Sequence, residues 1–73
     1  MSLPEMQPVS SSNVESIGYD ESTEILFVRF LNGSVYQYMN VPLIVFEQLL
    51  NAPSVGSFMH RNIKEVYPYN RIA

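Results

Sequence analysis

The chain has no cysteine, no tryptophan and a single histidine among its 73 residues. Without thiols, neither a disulfide nor a thiolate metal site can staple the fold. His60 stands apart from any acidic cluster that would complete a metal site, so neither metal nor small-molecule cofactor is expected. No apolar run nears the roughly 20 residues that span a bilayer, and no membrane partner is expected. The opening Met1-Ser2-Leu3-Pro4-Glu5 lacks the basic and apolar regions of a signal peptide, which points to a cytoplasmic protein. Basic residues are also missing from the first third. Residues 1–24 carry Glu5, Glu15, Asp20, Glu21 and Glu24, a balance of -5. Residues 25–73 carry Arg29, Arg61, Lys64 and Arg71 against Glu47 and Glu65, a balance of +2. That excess is compatible with a polyanion partner, though it falls short of the usual basic footprint of a nucleic-acid binder. No nucleophile elbow and no paired acid and base occur, and the expectation is a protein that is not an enzyme.

The apolar content of 47% is enough for one small core. Residues 1–13, rich in Pro, Ser and Gln, read as a mobile arm, and residues 14–73 as a single domain. Residues 14–20 alternate as a strand does. Gly18 within them suggests a bulge or the close approach of another element. Residues 24–31 form the strongest strand signal, apolar on both faces except at Arg29. Asn32-Gly33 then closes a hairpin onto a strand carrying Tyr36 and Tyr38. Two registers are open. A two-residue turn puts both tyrosines on the face of Ile25, Phe27 and Arg29. A three-residue loop with Gly33 as a bulge puts them with Leu26, Val28 and Phe30. The bulge is favoured, because it gathers five large side chains into one coherent face. Pro42 suits the first position of a helix over residues 42–50, with Phe46, Leu49 and Leu50 in one stripe. Ser54 is an N-cap for a second helix over residues 55–66, which turns Phe58, Met59 and Ile63 inward. The expected fold is α+β: a three-stranded antiparallel meander followed by two short helices packed on one sheet face.

These residues also resemble a known family. Ile17-Gly18-Tyr19-Asp20, the Leu26-Val28-Phe30 strand, Gly33, Tyr36 with Tyr38, Val41-Pro42, Ala52, Ser54, Gly56, Ile63-Lys64 and Tyr67-Pro68 resemble the KTSC domain. That domain is named for a C-terminal extension of some lysyl-tRNA synthetases. It also occurs as a free-standing protein of bacteria and their phages. The resemblance runs from about Val9 to Ile72. It implies a domain whose role is uncharacterised, with RNA binding suggested by the company of a tRNA synthetase, and a location in a bacterial cell or phage-infected host.

Two functions follow as expectations. The first is a non-enzymatic RNA-binding module. Tyr36 and Tyr38 present adjacent rings on one sheet face, and such platforms stack successive bases of a single strand. The competing reading of those rings is plain core. His60, Arg61 and Lys64 lie within about one helical turn, with Arg71 in the tail, and each could meet a phosphate. The second is a self-association or protein-interaction module. Two short helices cover only one sheet face, which would leave Ile25, Phe27, Leu31, Val35 and Met39 as an apolar patch for a second copy or a protein partner, unless the Met1–Asn13 arm folds back over it.

Overall fold

The computed structural model describes residues 3–73. It is an α+β fold: a five-stranded antiparallel sheet with two helices on one face. The strands are β1 (Gln7–Pro8), β2 (Val14–Asp20), β3 (Ile25–Phe30), β4 (Val35–Tyr38) and β5 (Tyr69–Arg71), and they lie side by side in sequence order. The helices α1 (Leu43–Leu50) and α2 (Val55–Asn62) are inserted between β4 and β5. The three-strand meander expected from sequence is therefore the middle of a wider sheet. β1 and β5 extend it at the two edges.

The hairpin settles the open register. Gly33 N–H donates to Phe30 O at 2.9 Å, and Phe30 N–H donates to Ser34 O at 2.9 Å. The loop is the three-residue bulge, with Gly33 at φ +92°. Asn32 Oδ1 braces it by accepting from Ser34 N–H at 3.0 Å and from the Ser34 hydroxyl at 2.6 Å. Leu26 then pairs with Tyr38, and Val28 with Tyr36. Both tyrosines share the face of Leu26, Val28 and Phe30. Against that face pack Phe46 and Leu49 of α1, Val55 and Met59 of α2, and Ile63 just beyond it, all buried. Tyr19, on β2, stacks on Phe46 at 5.0 Å and donates its hydroxyl to Val41 O, which ties the sheet to the entry of α1.

The helix signals are legible with small shifts. Pro42 takes the N-cap of α1, one position earlier than expected. Ser54 caps α2 by accepting from Ser57 N–H at 3.3 Å. α2 stops at Asn62 and not near Val66, because Ile63 and Lys64 both donate to Met59 O and turn the chain there. At the β2–β3 turn Asp20 accepts from the Ser22 hydroxyl, which lowers its carboxyl below the ordinary value.

The second sheet face is covered from within the chain. Residues 3–13 of the expected mobile arm are described, and they include β1; Met1 and Ser2 lie outside the described residues. A Cβ built on Gly18 would sit 2.7 Å from Met6 Sδ, 2.9 Å from Glu5 O and 3.2 Å from a Pro4 side-chain carbon. The arm thus lies directly on Gly18, whose cross-strand partner on that face is Phe27. Phe27 is 2% exposed and Val35 3%. Ile25 and Met39 are half-buried. Leu31 alone of that set is open, at 57%, and it lies beside the hairpin turn. The bare apolar patch expected from counting helices does not exist: Phe27 and Val35 are buried, and residues 4–6 lie over Gly18 on that face.

Two substitutions test this architecture. Gly33 has nothing within 4 Å of a built Cβ, so its requirement is backbone conformation alone. Gly33→Val is expected to lower unfolding free energy by about 1–3 kcal/mol, read from the urea midpoint. Gly18→Ala drives a methyl into the arm's backbone. It is expected to cost about 1–3 kcal/mol of overpacking, and an unchanged midpoint would show that the arm does not rest there.

Candidate nucleic-acid interface

The bulge register places the chemistry at the hairpin end of the sheet. Tyr36 and Tyr38 project toward the helix side of β4. β5 docks beside them and pairs Tyr38 with Tyr69 and Tyr36 with Arg71. Directly paired residues share a face, so Tyr69 and Arg71 join the tyrosines. The rings form a continuous cluster. Phe30 meets Tyr36 edge-on at 5.5 Å, Tyr36 and Tyr38 lie 6.4 Å apart, and Tyr69 stands 5.8 Å from Tyr36 and 5.6 Å from Tyr38.

The helices do not cover this end completely. A groove of about 710 Å³ runs between the ring cluster and α2, lined by Phe30, Tyr36, Tyr38, Tyr69, His60 and Lys64 among others. The rings are not equivalent. Tyr38 is 2% exposed and belongs to the core, whereas Tyr69 is 56% exposed and Tyr36 half-buried. A ring face for a visiting base is therefore available at Tyr36 and Tyr69 more than at Tyr38. Glu65 also lines the groove.

A second cavity, again about 710 Å³, adjoins the first. The two share Ser12, Asn13, His60 and Lys64. Arg61 lines only the second, so it joins the predicted set through that cavity. Arg71 lines neither; it lies opposite Tyr36 and donates Nε–H to Ala73 O at 2.8 Å. His60, Arg61, Lys64 and Arg71 are all exposed.

Sequence patterning does not reveal several of the lining residues. Tyr69 follows Pro68, which reads as the end of a helix, and three residues are too few to show strand alternation. Ser12 and Asn13 sit in a serine-rich stretch without periodicity. The charge distribution does have a structural meaning. Asp20, Glu21 and Glu24 flank the β2–β3 turn, at the end of β3 away from the hairpin loop. Three of the chain's seven acidic residues thus sit at that turn, while Glu65 lines the groove itself.

Among the described residues no group of three His, Cys, Asp or Glu is placed to hold a metal ion, and no helix is long and apolar enough to cross a membrane. The Tyr38 hydroxyl is pushed up to about 12 from 10.0, first by burial and then by the neighbouring phenols of Tyr36 and Tyr69. Burial, followed by the carboxylates of Glu24, Glu21 and Asp20, also raises Tyr19. A phenol raised in the fold keeps its proton longer there than in the unfolded chain. Its contribution is complete below the unfolded value of 10.0 and is lost as pH rises toward about 12. The urea midpoint is expected to fall through that window. In Tyr38→Phe the fall should be shallower, with the part due to Tyr19 remaining.

Comparison with known proteins agrees with this fold. The family model described as KTSC domain matches residues 10–67. A solved KTSC domain protein of Yersinia pestis superposes with a TM-score of 0.89 at 37% identity, covering 94% of this chain and 97% of that one. A protein of Tsukamurella paurometabola is 48% identical over 59 residues, which are 81% of this chain and 88% of that protein. A lysine–tRNA ligase of Trichormus variabilis is 37% identical over 73 residues, all of this chain but only 13% of the ligase. The chain belongs to the KTSC domain family.

Proposed function

We propose that this chain is a non-enzymatic module that binds single-stranded RNA along the groove between β4, β5 and α2. The observation that carries the reading is the pairing of accessible rings, Tyr36 and Tyr69, with His60 and Lys64 across one groove. Stacking on an aromatic ring is worth about 1–3 kcal/mol per base and tolerates any sequence. Cations beside the rings supply the phosphate attraction. Similarity to a segment of a lysine–tRNA ligase, an enzyme whose named substrate is an RNA, favours the same partner. A double helix keeps its base faces stacked inside, so the groove suits an unpaired strand, a loop or an end.

Self-association takes second place. Its motive was an uncovered second face, and Phe27 and Val35 are already buried by the chain itself.

Few cations line the site, which sets a scale for the salt dependence. With Arg61 and Lys64 each neutralising one phosphate, log Kd should rise against log salt with a slope of about 1.4, and of about 2 if Arg71 joins them. Fluorescence anisotropy with a short single-stranded RNA across a salt series measures it. Arg61→Ala with Lys64→Ala is expected to weaken binding and flatten the slope. Tyr69→Ala should weaken binding and leave the slope unchanged. Equal, salt-independent binding by the double variant would remove this surface as the RNA site.

A further inference from the structure

The two adjoining cavities differ in chemistry. The groove holds the rings and one carboxylate, Glu65. The second cavity has no tyrosine, no phenylalanine and no carboxylate in its lining. It gathers Arg61, Lys64 and His60 with the polar side chains of Ser12, Asn13 and Ser57. Its rim is closely fitted, since a Cβ on Gly56 would come within 2.9 Å of Asn13 Oδ1. Lys64 and His60 belong to both walls and join the two spaces.

From this division we infer that the pair of cavities is one bipartite nucleotide site. A base enters the ring-lined groove, and its phosphate enters the serine-lined cavity. This rests on the RNA-binding reading and deepens it by assigning the phosphate a place. Electrostatics fixes the direction. A phosphate in the groove would face the Glu65 carboxylate, while in the neighbouring cavity it meets two permanent cations and hydroxyl donors. A base in the groove can offer an exocyclic amino group to Glu65, as amino-bearing bases do to carboxylates elsewhere. The placement therefore favours adenine, cytosine or guanine over uracil.

Ser57 allows a clean test. It is the third residue of α2, and its N–H donates to the Ser54 hydroxyl. Either Glu or Gln at that position completes a capping box with Ser54, so both Ser57→Glu and Ser57→Gln should fold at least as stably as wild type. Only Ser57→Glu adds a negative charge to the cavity. The measurement is anisotropy titration of oligoadenylate, with and without a 5′-phosphate, against wild type and both variants. Ser57→Glu should weaken binding about tenfold more than Ser57→Gln does, since the two replacements match in size and differ in charge. Tighter binding of the 5′-phosphorylated strand assigns the cavity to a terminal phosphate, and equal binding assigns it to an internal phosphodiester. Oligouridylate should bind more weakly than oligoadenylate, and Glu65→Gln should narrow that gap. If wild type binds RNA and Ser57→Glu binds it equally well, the phosphate assignment is overturned while the RNA reading stands. The same holds if Ser57→Gln weakens binding as much as Ser57→Glu. If wild type binds no oligonucleotide, both fall together.

Discussion

Everything at the hairpin end of the sheet depends on one backbone conformation. Gly33 holds φ at +92°, and this lets a three-residue loop, not a two-residue one, join β3 to β4. Strand faces alternate with a period of two, so the extra residue decides on which side every β4 side chain emerges. With it, Tyr36 and Tyr38 rise beside Phe30 toward the helices. Without it, they would point at the arm, and Val35 and Gln37 would be left to fill the core. Asn32 makes the choice firmer by accepting two hydrogen bonds from Ser34. The ring cluster, the groove and the neighbours of Lys64 all follow from that loop.

The small size of the chain explains how the rest is arranged. Domains of this length bury only about 60% of their extended surface, and two eight-residue helices leave one side of a five-stranded sheet open. Residues 4–6 supply cover on that side by crossing at Gly18, where no side chain obstructs them. One cost is visible on the same side. The Ser16 hydroxyl is buried with no hydrogen-bond partner. Pro8 sits in β1 at the sheet edge, where a residue lacking an N–H does least harm.

The parts of this fold that can be read from sequence are those specified locally. Strand β3 announces itself by density of Ile, Phe and Val, the bulge by Asn32-Gly33, and the start of α2 by Ser54. The two edge strands are specified otherwise. β5 is three residues long and finds its partner about thirty residues earlier in the chain, so its identity as a strand lies in the pairing and not in its own composition. Gly18 does signal that something approaches closely; which segment approaches is a tertiary fact. The same division runs through the candidate site. Tyr36, His60, Arg61 and Lys64 stand out by residue type and spacing. Tyr69, Ser12 and Asn13 become visible only when the outer strand and the arm are in place.

The outer wall of the groove is also a weakly held part of the molecule. All three residues of β5 are exposed, and the strand has a neighbour on one side only. Local opening free energies in proteins range from near zero at frayed edges up to the global value. β5 belongs near the low end, while the meander behind it shares the buried core. Amides of Tyr69–Arg71 should therefore exchange with solvent deuterium well ahead of those in β3. The groove would then open sideways without the domain unfolding, and a long strand of polymer would have no need to be threaded into it from an end.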